Sequence, residues 1–482
     1  MPTKHKTTSI SSASKNMQSS SEISNPASYK DPSGFIYTKD GKIFRQVNLF
    51  YKENYDSLMQ SGLYKKLVEK KYLITHKEIS NSPKNSLAYK IIAPEIIPFI
   101  SYPYEWCFSQ LKDTALLTLL IQKTALSFDM SLKDATSFNI QFLPDGKPIF
   151  IDTLSFEKYV EGQPWVAYRQ FCEQFLSPLA VVAYRDFRLA KLLQDYLGNI
   201  PLDLAAKLLP LSAKMNLSLF MHISLHARSQ KKYSSIPLSE KGERSLSKQS
   251  LLGILDSLES TIRGMKWQDV KSTWSHYYEG DTKGSYHSDA FDKKKKIVAK
   301  YLKTIHPKTL WDIGANAGMF SRIASEMGIY TISMDYDYPA VEKNYILMKK
   351  NNEKNILPLW IDITNPTPAL GWVNLEREPL IFGRPRPDMV MALALVHHLV
   401  MTHNIPLSLL ASFFSEICQS LIIEFVPKGD NRVKLLLQNR EDVFSDYNQE
   451  HFEKEFGHYF TIREKTIIPQ SQRIIYLMLK KD

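Results

Sequence analysis

A short loop with two glycines is the part of the sequence whose residue types point most directly to chemistry. It reads DIGANAG from Asp312 to Gly318 and follows a short apolar run. Glycine adopts positive φ angles and lets a ligand approach the backbone, and Asn316, in the middle of the loop, is the side chain that best tolerates such angles. A second carboxylate, Asp335, ends the next predicted strand, where an acid can accept both hydroxyls of a ribose. These residues predict a site for a nucleoside-containing ligand.

The elements that must position this site alternate between strand and helix. Apolar runs of strand length are separated by amphipathic stretches of helical length, which is typical of a doubly wound parallel sheet. Loops at the carboxyl ends of such strands meet at one edge of the sheet. The predicted strands cover residues 309–313, 330–335, 356–361, 388–393, 420–425 and 471–479.

The order of these motifs resembles that of class I S-adenosylmethionine-dependent methyltransferases. In that family a D-x-G-x-x-x-G loop holds the methionine part of the donor, the acid ending the second strand binds ribose, and an acid after the third strand faces the adenine amino group. The resemblance implies a seven-stranded, mostly parallel Rossmann-like sheet in an α/β domain that binds S-adenosylmethionine. The donor-binding residues it implies are Asp312, Gly314, Asn316, Gly318, Asp335, Asp362 and Ala392.

The residues after the fourth predicted strand constrain the methyl acceptor. No N/D-P-P-Y/F motif stands there, and Cys418 falls in a predicted helix rather than where a pyrimidine C5 methyltransferase needs its nucleophile. We therefore expect the acceptor atom to be an oxygen or a nitrogen. A base assists transfer to a hydroxyl or a protonated amine. His397, His398 and Glu424 are the candidates, although the histidine pair could instead only pack under the cofactor.

A second group of chemically active residues lies in the N-terminal half. Asp134 and Asn139 are separated by a short spacing and are followed by a predicted hairpin and Asp152. This segment resembles the catalytic segment of protein-kinase-like and aminoglycoside-phosphotransferase folds, in which the first Asp receives a hydroxyl proton and the other two residues hold magnesium. Leu132 replaces the usual histidine, and no glycine-rich phosphate loop is present. We expect a degenerate kinase-like α+β domain, with phosphotransfer or ATP and magnesium binding as the alternative.

Length and composition divide the chain. At 482 residues it exceeds one ordinary core, and its 44% hydrophobic and 23% charged residues are typical of a globular protein. We expect a disordered tail over residues 1–32, the kinase-like domain over 33–210, a helical and basic linker over 211–285 and the methyltransferase domain over 286–482. The three cysteines show no spacing typical of a metal site or a disulfide framework, and no apolar run is long enough to span a membrane. The cytoplasm is the expected compartment.

The net charge of +11 leaves a second kind of acceptor open. A basic protein can bind RNA, so an RNA methyltransferase is the first alternative. Runs such as Lys293 to Lys296 more often form the solvated face of a helix. The two-part layout also resembles bacterial NoeA-like (nodulation-protein-like) methyltransferases, notably in residues 97–106 and 163–171, which loosely implies a carbohydrate or other small acceptor. The oligomeric state is not indicated.

Overall fold

The computed structural model describes residues 23–79, 86–227, 246–268, 288–438 and 441–482. Most of the predicted tail, and residues 228–245 and 269–285 of the predicted linker, therefore lie outside the described residues. By contacts the chain divides into two units, the first formed by Met1–Lys52 and His76–Pro94 and the second by Glu53–Thr75 and Glu95–Asp482. The domain limits expected from the sequence remain a prediction.

The first unit contains a five-stranded antiparallel sheet in the order β1-β2-β3-β5-β4. Strands β2 and β3 form a β-hairpin. Lys39 pairs with Lys42 across a turn in which Asp40 and Gly41 both take positive φ, as a two-residue hairpin requires. The strands are β1 Ile23–Ser24, β2 Gly34–Lys39, β3 Lys42–Asn48, β4 His76–Ile79 and β5 Ala88–Pro94.

The second unit begins with helices Lys52–Gln60 and Leu63–Glu69 and continues with the long helix Phe108–Leu126. That long helix is apolar around most of its circumference and is buried accordingly. Two short antiparallel pairs come next, β6 with β9 and β7 with β8, so the α+β organisation expected of the N-terminal half is confirmed. These strands are β6 Met130–Leu132, β7 Ile140–Phe142, β8 Pro148–Phe150 and β9 Phe156–Lys158.

A helical region joins this part of the unit to the large sheet. One nearly continuous run contains a π-helical turn at Cys172–Leu176 between two α-helical pieces. A 3-10 helix, Phe187–Lys191, lies after this run. The helices are Tyr168–Phe171, Ser177–Tyr184, Leu192–Asp195, Leu202–Leu208, Leu211–Lys214, Leu217–Leu219 (leading into a π-helical turn, Phe220–Leu225) and Lys248–Gly264.

The C-terminal part is built on a seven-stranded sheet in the order β12-β11-β10-β13-β14-β16-β15. The first five strands in this order are parallel, and β16 is antiparallel to both its neighbours. The expected seven-stranded, mostly parallel sheet is thus confirmed. Its strands are β10 Thr309–Ile313, β11 Tyr330–Asp335, β12 Ile356–Trp360, β13 Met389–Ala392, β14 Ser420–Phe425, β15 Phe460–Ile467 and β16 Ile474–Lys480.

Helices cover both faces of this sheet, which explains why its parallel strands are apolar on both sides. The strand order changes direction between β10 and β13, and in open α/β sheets ligands bind at the carboxyl ends of strands beside such a point. The main helices are Ser288–Ile305, Met319–Glu326, Tyr338–Asn351, Val396–His403, Leu407–Ile417, Asn431–Leu437 and Gln449–Gly457. Among the described residues, no helix combines the length and apolar character needed to cross a membrane.

The N-terminal helix Phe108–Leu126 packs directly against the large sheet's helix Tyr338–Asn351. The Tyr345 hydroxyl donates to Asp113 at 2.7 Å, and the Gln110 amide donates to the Pro358 carbonyl at 3.0 Å. One apolar core extends through both parts of the unit, from Leu58 to Met478. The N-terminal part of this unit and the large sheet are therefore joined as one packed body.

Candidate ligand-binding site

A cavity opens at the carboxyl ends of β10, β11 and β13, where the sequence predicted a nucleoside site. It has a volume of about 1100 Å³, its open mouth included. Backbone of the glycine loop forms one wall, and the residues directly after β13 form another. Its polar lining residues are Lys294, Asp312, Asn316, Asp335, Tyr336, His397, His398, Thr402, His403, Arg432 and Arg473.

The glycine loop takes the left-handed backbone that its sequence predicts. Gly314, Asn316 and Gly318 have φ angles of 78°, 52° and 75°. A Cβ at Gly318 would collide with the side-chain amide of Asn344, so only glycine fits there. The backbone N–H of Gly314 donates to the Met334 carbonyl at 2.9 Å, which ties the loop to the end of β11.

Asp335 connects the loop to the neighbouring strand. Its Oδ2 accepts the backbone N–H of Asn316 at 2.7 Å, and its Oδ1 accepts that of Asp337 at 2.8 Å. The residue is 7% exposed, and burial raises the pKa of its carboxyl to about 6. The loop and the second acid, far apart in sequence, therefore converge on one wall of the cavity.

Asp312 adds a second buried carboxylate to the same cavity. Its Oδ2 accepts the Ser321 hydroxyl at 2.6 Å. Burial raises the pKa of Asp312 to about 7, and the charge of nearby Asp335 also acts to raise it. Because each carboxylate opposes ionisation of the other, a cationic group bound between them would stabilise both in the charged form.

Glu424, expected to meet the acceptor, is fully buried behind the cavity wall. Its carboxylate binds Lys294 at 2.6 Å and lies 3.5 Å from Arg473, and both of these cations line the cavity. Arg473 also binds Asp430, with Nε at 2.7 Å and Nη2 at 3.0 Å from its oxygens. Glu424 thus holds the charge of two lining residues instead of facing the ligand space.

The basic run at residues 293–296 does not lie wholly on a solvated helix face, as the sequence suggested. Lys294 is 3% exposed because the helix Ser288–Ile305 turns this residue inward toward Glu424. Burial lowers the pKa of Lys294, and the charge of Glu424 counteracts that effect. One of the four lysines is therefore part of the cavity.

His397 and His398 lie in the cavity wall, at the start of the helix Val396–His403. Their ring centroids are 4.2 Å apart. Burial lowers the pKa of His398 to about 4 and that of His397 well below its ordinary value, so both rings are neutral near pH 7. Nδ1 of His397 is buried and has no hydrogen-bond partner within the part of the chain that the structure describes.

Three expected donor residues lie outside the cavity lining. Gly318 begins the helix Met319–Glu326, and Ala392 ends β13, fully buried. Asp362 lies in an adjoining hollow, where its Oδ1 accepts the backbone N–H of Thr364 at 2.8 Å. We call this hollow the side pocket; it is lined by Lys191, Gln194, Asp195, Tyr336, Trp360, Asp362 and Asn365.

In the N-terminal half, Asp134, Asn139 and Asp152 lie close together. Asn139 Nδ2 donates to the Ser155 hydroxyl at 3.1 Å, and that hydroxyl donates to Asp152 Oδ2 at 2.8 Å. Burial raises the pKa of Asp134, and the Asp152 charge also acts to raise it. Asp134 Oδ1 accepts the Gln170 amide at 2.8 Å. Among the described residues, no group of three or more His, Cys, Asp or Glu side chains could hold a metal ion.

Several cavity residues were missed by the sequence analysis. Arg473 stands next to the last strand and Arg432 in a short helix, and neither position carries a motif. Ala394 takes a φ of 51°, a region unfavourable for alanine, and lines the cavity directly after β13. The small residues at the end of the fourth strand were the one local signal for this turn.

The sheet order and the acidic carboxyl edge together define a Rossmann-like α/β protein with the strand arrangement expected of a methyltransferase. No family model matches the chain. Nodulation protein NoeA of Rhizobium meliloti (strain 1021) is 34% identical over 464 residues, which cover 94% of this chain and 96% of NoeA. The chain therefore belongs to the NoeA family.

Solved structures show only distant similarity. Magnesium protoporphyrin IX methyltransferase (ChlM) from Synechocystis PCC 6803 is 14% identical, with a TM-score of 0.29 over 45% of this chain and 88% of that one. N-methyltransferase NodS from Bradyrhizobium japonicum WM9 is 10% identical, with a TM-score of 0.30 over 40% of this chain and 98% of NodS. The bifunctional kinase-methyltransferase WbdD is 16% identical, with a TM-score of 0.29 over 40% of each chain.

Proposed function

We propose that this protein is an S-adenosylmethionine-dependent methyltransferase. The observation that supports this most strongly is the contact between the glycine loop and the acid of the next strand, Asn316 N–H to Asp335 Oδ2 at 2.7 Å, in the wall of an open cavity. A turn with positive φ angles next to a ribose-binding acid suits an adenosyl ligand.

The chemistry of the lining fits this donor. The pKa of the two buried carboxyls, Asp312 and Asp335, is raised to about 7 and 6, so both would be stabilised by a cationic ligand. The donor carries a sulfonium and an ammonium group. In the proposed arrangement Asp335 accepts the ribose hydroxyls, the backbone from Gly314 to Gly318 holds the methionine part, and Asp362 accepts from the adenine amino group.

The donor, when bound, supplies a methyl group on a positively charged sulfur, which is displaced in line by the acceptor. Most of the acceleration then comes from holding the two reactants in line and excluding water. His398, half-buried in the cavity wall and neutral near pH 7 because its pKa is lowered to about 4, is the residue we propose to accept the acceptor's proton. His397, 2% exposed, supports the ring of His398.

We propose an oxygen or nitrogen acceptor on a small or carbohydrate-like molecule. The polar groups at the mouth, Thr402, His403 and Arg432, can hydrogen-bond hydroxyl and anionic groups. RNA is less well supported as the acceptor. Lys294, one of the four lysines in the basic run, is buried in an ion pair with Glu424 and so does not add to a basic surface.

The experiment is transfer of a labelled methyl group from the donor into a cell extract, followed by separation into small molecules, polysaccharide and RNA. Label in the small-molecule or carbohydrate fraction that disappears with the Asp335→Ala variant supports the proposal. Label in RNA would favour the alternative acceptor. An extract from cells that lack the gene contains the acceptor in its unmethylated form. If no fraction of that extract takes up label, the proposed methyltransferase function is wrong.

A second candidate function concerns the N-terminal half, which we propose as a nucleotide-binding module. It is favoured by the contacts that Asn139 and Asp152 make with the Ser155 hydroxyl, and by the nearby charge of Asp152, which acts to raise the pKa of Asp134. Two neighbouring carboxylates that oppose each other's ionisation attract a cation. The test is magnesium-dependent binding of ATP.

A further inference from the structure

The side pocket beside the cavity is built from both parts of the second unit. Tyr336, directly after β11, lines the cavity and the side pocket alike and is 57% exposed. Trp360, at the end of β12, donates its indole N–H to the Tyr336 carbonyl at 2.8 Å. The opposite side of the pocket is formed by Lys191, Gln194 and Asp195, which belong to the N-terminal half.

Aromatic packing holds this N-terminal segment at the carboxyl edge of the sheet. The ring of Phe187 stacks on Tyr338, with centroids 5.3 Å apart, and Tyr338 meets Trp360 edge-on at 4.8 Å. Leu193, two residues after Lys191, is fully buried. The segment that carries Lys191 is therefore held by packing on Tyr338, which itself contacts Trp360.

Lys191 lies over the indole ring of Trp360, with Nζ 4.1 Å from the ring centroid. This distance is that of a cation–π contact. Burial lowers the pKa of Lys191, while the charges of Glu105, Asp362 and Asp195 act in the opposite direction. The ammonium group thus lies in the electrostatic field of Asp362 as well as against the aromatic wall.

We propose that Lys191, a residue of the N-terminal half, helps to bind the adenine base that the proposed function places beside Asp362 in the side pocket. The proposal rests on the proposed methyltransferase function. A purine is recognised by stacking on an aromatic face and by hydrogen bonds to its edge. Tyr336 offers the exposed ring, and Asp362, Asn365 and Gln194 offer carboxylate and amide groups.

The arrangement makes the N-terminal half part of the donor site. Lys191, Gln194 and Asp195 form one side of the pocket, so donor affinity depends on the packing between the two halves of the unit. Lys191 is a binding residue in this account, since it contacts the base and not the reacting methyl group.

The experiment is calorimetric titration of the full chain with S-adenosylhomocysteine, using the wild type, Lys191→Met and the control Lys207→Met. Lys207 is an exposed lysine on the helix Leu202–Leu208. Methionine keeps most of the apolar stem of lysine and removes the charge. We expect Lys191→Met to weaken binding by about fivefold or more, because it removes one charged contact to the base, and Lys207→Met to bind within about twofold of the wild type.

A second measurement covers the case in which Lys191→Met does not fold, as judged by its melting transition. Lysine acylation of the wild type is followed by mass spectrometry with and without S-adenosylhomocysteine, and protection of Lys191 but not of Lys207 supports the proposal. Unchanged affinity of Lys191→Met, or no protection of Lys191 in a wild type that binds the ligand, overturns it. A wild type that does not bind S-adenosylhomocysteine at all overturns the proposed function itself.

Discussion

Arg384 and Glu105 form a bidentate ion pair that is completely buried. Arg384 Nη1 donates to Glu105 Oε2 at 2.8 Å and Nη2 donates to Oε1 at 2.7 Å, and neither side chain is exposed. Thr367 donates its hydroxyl to the same carboxylate at 2.6 Å. Glu105 precedes the long N-terminal helix, and Arg384 precedes β13. The pair therefore joins the N-terminal half of the unit to the sheet that carries the cavity.

The first prediction concerns this ion pair. Glu105→Gln should lower the free energy of unfolding by about 3–5 kcal/mol, because it leaves the Arg384 charge buried without its counter-charge. The measurement is urea unfolding followed by circular dichroism. Glu69→Gln is the control, since the Lys65–Glu69 pair is exposed, and it should change stability by less than about 1 kcal/mol. If both substitutions change the free energy of unfolding by the same small amount, the buried pair does not stabilise the packing of the N-terminal half on the sheet.

The second prediction is that ligand affinity and the stability of the unliganded protein change in opposite directions with pH. The affinity for S-adenosylhomocysteine should fall by up to about tenfold per pH unit below pH 6, because Asp335, with its pKa raised to about 6, must be ionised to accept the ribose hydroxyls. Calorimetry between pH 5 and pH 8 measures this. In the Asp335→Asn variant the remaining affinity should vary much less with pH.

Stability of the unliganded protein should change in the opposite direction. Asp312 and Asp335 have pKa values raised to about 7 and 6, so between about pH 4 and pH 7 the folded state binds more protons than the unfolded state. Their contribution to the free energy of unfolding therefore decreases as pH rises through this window. Asp312→Asn should stabilise the unliganded protein at pH 8 and have little effect at pH 4. Destabilisation at pH 8 would contradict this account of the carboxylates.

The third prediction tests the proposed proton acceptor. His398→Gln should lower kcat by about 100-fold, the usual size of a general-base contribution, with donor affinity within about twofold of the wild type. The acceptor fraction that takes up label serves as substrate. His458→Gln is the control, because His458 is exposed and lies outside the cavity lining. The rate should show no titration of His398 between pH 6 and pH 8, since its pKa lies at about 4. If His398→Gln leaves kcat unchanged, His397 and His398 only pack in the cavity wall and neither accepts the proton.

The fourth prediction addresses the N-terminal cluster. If this half binds a nucleotide, ATP should bind only with magnesium present, and Asp152→Ala should abolish that binding. Asp256→Ala, which removes an exposed carboxylate paired with Lys123, should leave it intact. Equilibrium dialysis with labelled ATP measures both. A wild type that does not retain ATP at millimolar magnesium would remove the nucleotide-binding candidate.

Much of the C-terminal fold could be predicted because its determinants are local. Strand and helix periodicities locate the parallel strands, and positive φ angles at Gly314 and Gly318 follow from the residue type. The convergence of the glycine loop with Asp335 follows from the rule that carboxyl ends of parallel strands share an edge. The strand β15 was not predicted, because the polar residues Glu464 and Thr466 occupy two of its less exposed positions and interrupt the apolar alternation.

The remaining site features depend on contacts between residues distant in sequence. Nothing near Glu424 indicates that its carboxylate binds Lys294 and Arg473 and so withdraws from the ligand space. The same holds for Lys191, whose contact with Trp360 requires the packing of the two halves. Long-range ion pairs and cation–π contacts have no local pattern, so a single sequence does not reveal them.

The central claim is that the glycine loop and Asp335 hold one adenosyl ligand. Calorimetric titration with S-adenosylhomocysteine tests it most directly, with the wild type, Asp335→Ala and the control Glu416→Ala, an exposed carboxylate on the helix Leu407–Ile417. We expect one site per chain, a loss of about tenfold or more in Asp335→Ala from the missing charge-assisted hydrogen bonds, and unchanged affinity in Glu416→Ala. Undiminished binding by Asp335→Ala, or no binding by the wild type, would contradict the claim.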